Sequence, residues 1–71
     1  DVAALREQIF NDATANLKTP VDRLNQNERK EIMIKLHEQG LFQLKGSIPF
    51  VAKRFSCSQA TIYRYLGEIN N

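Results

Sequence analysis

The stretch IPFVAKRFSCSQATIYRYLGEI, residues 48–69, decides the fold. It reads as two short amphipathic helices joined by a tight corner. In the first, Ile48, Val51, Ala52 and Phe55 fall at i, i+3, i+4 and i+7 and share one helical face. In the second, Ile62, Leu66 and Ile69 form a stripe at i, i+4 and i+7, with Tyr65 beside it. Ser47 is the expected N-cap of the first helix, its hydroxyl accepting from an amide of the first turn. Pro49 is tolerated there because its missing N–H would lack a helical partner anyway. Ser58 is the expected N-cap of the second helix, which then starts near Gln59. The corner Ser56-Cys57-Ser58 has the length that a helix-turn-helix requires. Ser56 stands where left-handed backbone, and hence Gly, is common. Cys57 is expected as the small buried side chain beneath the corner.

The outward face of the second helix carries Gln59, Ala60, Tyr63, Arg64 and Gly67. Gln can pair bidentately with adenine and Arg with guanine, and a small Ala lets the backbone approach or touches a thymine methyl. Lys53 and Arg54 lie off the apolar face of the first helix, where water or phosphate suits them. The competing reading is an ordinary helical hairpin whose polar faces meet only solvent.

Outward from this motif, Leu41, Phe42 and Leu44 form a short apolar segment that fills space between the helices around it. Lys45 and the Gly46-Ser47 amides stand just ahead of the first motif helix, where free N–H groups and the helix dipole attract phosphate. Residues 25–39 read as a helix. Asn25 with Glu28 makes a capping box, Ile32, Met33 and Leu36 form the apolar face, and Arg29, Lys30, Glu31 and Glu38 the outer one. Ile34 lies off that face and is expected against the N-terminal helix. Gly40 ends the helix and Leu41 folds back on Leu36. Before it, Thr19 is an expected N-cap and Pro20 the first residue of a single turn through VDRL. Residues 1–18 read as another helix, with Val2, Leu5, Ile9, Ala13 and Leu17 as its stripe, Phe10 widening it, and Arg6, Asn11, Asp12 and Asn16 in solvent. That stripe needs cover, from this domain, an upstream domain or a twin in a dimer.

Composition narrows the function. Seventy-one residues with 42% hydrophobic content allow one small domain whose core is small. One cysteine excludes an internal disulfide and fits a reducing compartment. No apolar run approaches a membrane span. The chain starts without Met and mid-pattern, as a segment of something longer would. Residues 1–40 carry net −1 and residues 41–71 net +3, so positive charge gathers on the two-helix motif. His37 has no second metal-ligating neighbour in sequence, so no metal site is expected. No phosphate loop, no His–acid pair and no Cys with a base is present, which points away from an enzyme and from a cofactor.

The run LNQNERKEIMIKLHEQGLFQLKGSIPFVAKRFSCSQATIYRYL, residues 24–66, resembles the C-terminal helix-turn-helix domain of the YheO-like bacterial transcriptional regulators, the group that includes the D-arginine utilization repressor. The pieces that carry the resemblance are LN..ER.EI...L...G.F.LKG, then VA, then S.ATIYRYL. The resemblance implies an upstream PAS-like sensor domain in the full-length protein and DNA binding through the second motif helix. Ser56-Cys57 stands where the family often has Gly-Val, and Gln59 where it often has Arg or Lys, so the base preference stays open.

The expectation is therefore an all-α small helical bundle with a helix-turn-helix motif. Residues 1–23 would be an N-terminal amphipathic helix and connector, and residues 24–71 the DNA-binding part. Gln59, Ala60, Tyr63 and Arg64 would face base edges. Lys45, Ser47, Lys53, Arg54, Ser58 and Thr61 would contact phosphates of double-stranded DNA. A cytoplasmic homodimer would read two half-sites roughly 34 Å apart. Two alternatives remain: a helical protein-interaction module using the N-terminal stripe, and the DNA-binding domain of a site-specific recombinase. The second usually brings a basic minor-groove arm, whereas the segment before this motif is acidic.

Overall fold

Four α-helices and two single 3₁₀ turns make up the chain in a computed structural model that describes residues 1–70. Asn71, the last residue of the span assigned to the motif, lies outside the described residues. Helix α1 runs Val2–Thr14, α2 Gln26–Glu38, α3 Ser47–Phe55 and α4 Gln59–Asn70, with 3₁₀ turns at Val21–Arg23 and Leu41–Gln43. No strand occurs among the described residues, so the fold is all-α.

Helix α1 begins after Asp1, whose carboxylate accepts the Ala4 amide at 2.8 Å. It stops at Thr14, short of the expected Lys18. There the Thr14 hydroxyl donates back to the Phe10 carbonyl at 2.9 Å, and the Leu17 amide closes a tighter turn on the Thr14 carbonyl at 3.1 Å. Ile9, Ala13 and Leu17 of the expected stripe pack half-buried on the core, but its first two members do not. Val2 and Leu5 are 45% and 43% exposed, whereas Phe10 is 1% exposed. Phe10 meets the Phe50 ring edge-on with centroids 5.6 Å apart and the Phe55 ring at 6.1 Å. An aromatic side chain carries more apolar area than Val or Leu. Its burial sets the rotation of α1 and turns Arg6, expected in solvent, toward the body of the protein.

The connector places Pro20 ahead of the 3₁₀ turn instead of inside it, with ψ 143° and no side-chain cap. The Arg23 amide bonds the Pro20 carbonyl at 2.9 Å. Helix α2 opens with the expected capping box: Asn25 Oδ1 accepts the Glu28 amide at 2.8 Å and Glu28 Oε1 accepts the Asn25 amide at 2.9 Å. Ile32, Met33 and Leu36 are buried, together with Leu24 and Leu41. Gly40 ends the helix with φ +80°. Ile34 is not against α1; it lies in a shallow groove with Tyr65 and Ile69 of α4. A 2.8 Å ion pair from Lys30 to Glu68 closes the same α2–α4 seam. Arg29 leaves the outer face as well. It is half-buried and donates to the Phe55 carbonyl at 3.1 Å, with its guanidinium over the Phe55 ring.

The corner between α3 and α4 is closed by the backbone. Ser56 is left-handed at φ 56° and ψ 45°. Its amide bonds the Lys53 carbonyl at 3.2 Å, and the next amide, Cys57, bonds the Ala52 carbonyl at 3.0 Å. This pair of bonds is a Schellman termination. Cys57 is half-buried and packs on the core beside Ala52. Val51, Ala52 and Phe55 from α3 meet Ile62 and Tyr65 from α4 in that core, while Ile48, Leu66 and Ile69 pack around it half-buried. The start of α3 differs from expectation. Left-handed Gly46, not Ser47, precedes the helix, and no side chain caps it. Ser47 is its first residue and only 3% exposed, so its hydroxyl serves neither as the cap nor as a surface phosphate contact.

The left-handed Ser56 carries the steric cost that a β-carbon meets in that region. Ser56→Gly is expected to stabilise the chain by about 0.5–1 kcal/mol after allowance for the more flexible unfolded state, and Ser56→Val to destabilise it by more than about 1 kcal/mol. Urea unfolding followed by far-UV circular dichroism measures both.

Candidate nucleic-acid interface

The face offered to a partner starts at the cap of α4. Ser58 Oγ accepts the Thr61 amide at 3.2 Å and lies 3.0 Å from Thr61 Oγ1. The Ser58 and Thr61 carbonyl, amide and hydroxyl groups thus hold one another and fix the direction in which α4 leaves the corner. At 3.6 residues per turn, burying Ile62 and Tyr65 turns Gln59, Ala60, Tyr63, Arg64 and Gly67 outward. All five are exposed, and Tyr63 is 60% exposed. An exposed aromatic of that size beside Gln and Arg is a surface suited to stacked, π or base-edge contact. The Arg64 guanidinium stands 5.4 Å from the Tyr65 ring centroid and has no ion-pair partner among the described residues. The one acid of α4, Glu68, is drawn to Lys30, which leaves the outward face without a paired negative charge of its own.

The ten residues singled out from the sequence divide into two groups. Gln59, Ala60, Tyr63, Arg64, Ser58, Lys45 and Lys53 are exposed, and Thr61 is half-exposed beside Ser58. Lys45 and Lys53 have no ion-pair partner among the described residues. Ser47 and Arg54 stand apart. Ser47 is enclosed, as above. Arg54 is already engaged: its guanidinium pairs with Glu7 of α1 and lies 5.3 Å from the Phe10 centroid and 4.8 Å from that of Phe50. A guanidinium paired with a carboxylate and within cation–π distance of two rings braces α1 against α3; it is not free to follow a phosphate.

The structure adds two cations that the sequence reading left on solvent faces. Arg29 reaches the last carbonyl of α3, where the helix dipole favours a positive charge. Arg6 donates to the Lys45 carbonyl at 2.7 Å and sits 5.3 Å from the Phe50 centroid. The signal for Arg6 was Phe10. Once Phe10 is taken as the centre of the buried face, Arg6 falls one helical turn before it on the same line.

Among the described residues no group of three or more His, Cys, Asp and Glu side chains stands together as a metal would require, and His37 is exposed. Among the described residues no helix is long and apolar enough to cross a membrane.

Comparison with known proteins follows the same lines. A family model for a helix-turn-helix (HTH) domain matches residues 5–67, and so takes in α1 as well as the motif. An uncharacterized protein of Haemophilus influenzae is 36% identical over 45 residues, which is 63% of this chain and 20% of that protein. The chain thus matches about a fifth of that relative's length. No solved structure matches it significantly.

Removing the cap of α4 tests whether it holds the face in place. Ser58→Ala is expected to cost about 1 kcal/mol of stability. Lys53→Ala, an exposed residue without a partner, is expected to stay within about 0.5 kcal/mol of the parent. Thermal and urea unfolding of the two variants side by side measure the difference.

Proposed function

The chain belongs to the helix-turn-helix domain family, and from that premise we propose that it is the sequence-specific double-stranded-DNA-binding domain of a bacterial transcriptional regulator. The observation that carries this reading is the outward face of α4. Gln59, Ala60, Tyr63 and Arg64 stand together in solvent on a helix whose other side is anchored in the core. In the proposal α4 enters the major groove, Arg64 and Gln59 hydrogen-bond base edges, and Tyr63 and Ala60 make apolar contact with them. Lys45, Lys53, Ser58 and Thr61 hold the flanking phosphates and set the register.

The finer expectations belong to the same proposal. The regulator is of the YheO-like kind, with a PAS-like sensor domain upstream, and works in the cytoplasm. Residues 1–23 support the motif-bearing residues 24–71. Two copies bind together on half-sites about one DNA turn apart. The exposed Val2 and Leu5 on the outer side of α1 favour association through that helix.

An amide NMR titration of the chain with a short random-sequence duplex at low salt tests the reading. The expected shifts cluster on Lys45, Lys53 and residues 58–64 and fade as salt is added. A well-dispersed spectrum that does not move rejects DNA binding. On a selected operator, Arg64→Ala is expected to cost about 1–3 kcal/mol and to relax preference at one base pair. Lys53→Gln should instead weaken all sequences alike and lower the salt slope by about 1. Fluorescence anisotropy over a salt series separates the two behaviours.

A further inference from the structure

Helix α1 lies outside the two-helix motif, yet Arg6 reaches from it to the entrance of α3. Its Nη1 donates to the Lys45 carbonyl at 2.7 Å across 39 residues of sequence. The guanidinium rests on the Phe50 ring of α3 at 5.3 Å. The next residue after Lys45, Gly46, makes room for it: a β-carbon there would stand 3.0 Å from Arg6 Nη1, and Gly46 is left-handed at φ +78°. Two features of this arrangement are unfavourable for the free chain. Arg6 Nε is buried with no hydrogen-bond partner among the described residues. A cation at the start of α3 also opposes the helix dipole, unlike Arg29 at its end.

From this geometry we infer that Arg6 is a positioning residue for DNA binding: it fixes the Lys45-Gly46 backbone so that the Lys45 side chain is held toward a phosphate at the entrance of α3. The inference rests on the proposed DNA-binding function and extends it to a helix outside the motif. A phosphate held by Lys45 also suits the site, because the anion faces the positive end of α3. The fork geometry is what the role requires. Lysine keeps the charge at this site but has no planar fork with which to bond the carbonyl while keeping its contact with Phe50.

The test compares Arg6→Gln, Arg6→Lys, Lys45→Gln and the Arg6→Gln/Lys45→Gln double variant. Each is checked for a dispersed amide spectrum, then titrated with a random-sequence duplex from about 0.05 to 0.2 M salt. Lys45→Gln is expected to lower the slope of log K against log salt by about 0.9, the equivalent of one phosphate. Arg6→Lys, with its charge intact, is expected to lose a similar slope and to weaken binding about three- to tenfold. The double variant should fall no further than Arg6→Gln alone. Arg6→Lys that keeps the parental slope, or Arg6→Gln and Lys45→Gln losses that simply add, overturns the positioning role while leaving DNA binding intact. A parent chain that binds no duplex overturns the proposed function and this inference together.

Discussion

The left-handed backbone at Ser56 is the constraint on which the rest of the structure depends. It ends α3 within one residue and directs the Ser56 and Cys57 amides back onto the Lys53 and Ala52 carbonyls. That leaves Ser58 free to open α4 without an intervening loop. The core follows from it: Val51, Ala52 and Phe55 on one side of the corner and Ile62 and Tyr65 on the other can meet only if the two helices leave it at a set angle. Gly is the residue that adopts this conformation most readily. The chain uses Ser and accepts local strain, which the buried apolar surface on both sides of the corner offsets.

Helix α3 is then held from outside by arginines as well as from inside by apolar packing. Arg6 from α1 bonds the backbone just before it, and Arg29 from α2 bonds its last carbonyl. Arg54, on α3 itself, pairs with Glu7 of α1. Each guanidinium also lies over a phenylalanine, Phe50, Phe55 or Phe10. The ion pair alone would contribute little at this exposure. Contact with the rings adds an interaction that salt screens less, so the same side chain supplies both a hydrogen bond or ion pair and adhesion to an apolar surface. In a chain this small, where the apolar core alone leaves stability marginal, such braces replace the additional packing that a larger domain would have.

What was legible in the sequence was local. The Asn25–Glu28 capping box, the stop at Gly40, the Ser56 corner and the Ser58 start each depend on a few neighbouring residues and can be read from them. The helix count and the outward set Gln59, Ala60, Tyr63 and Arg64 followed from periodicity, because Ile62 and Tyr65 leave little choice of buried face. What was not legible depends on distant chain. The rotation of α1 turns on Phe10 finding Phe50 and Phe55, some forty residues away. Counting apolar positions equally placed Val2 and Leu5 inside, whereas the single largest ring decides the face. The arginines were misplaced for the same reason: a guanidinium that bonds a remote carbonyl looks, in sequence, like any solvated charge. Ser47 failed differently. The helix starts one residue earlier than its side chain would suggest because Gly46 supplies the left-handed entry and takes the cap position.

These placements separate two kinds of residue along α4 and its approach. Ile62, Tyr65 and the Ser58 cap hold the helix, and from its outer side only the Arg64 guanidinium comes near the core, 5.4 Å from the Tyr65 ring. Gln59, Ala60 and Tyr63 are exposed and take no part in the core cluster, so their identities are free to vary with little folding penalty beyond helix propensity. A reading surface needs that freedom: base preference can change by substitution only where the side chains are not also needed for packing. The cations around α3 follow the opposite rule. Arg6, Arg29 and Arg54 are bound into the framework, and only Lys45 and Lys53 remain unpaired among the described residues on the approach to α4. The net +3 of residues 41–71 matches the three cations left unpaired there among the described residues, Lys45, Lys53 and Arg64, only because Arg54 and Glu68 are both paired with residues outside that stretch. The usable charge is set by which cations the fold has left unpaired, and that is a property of the tertiary structure, not of the composition.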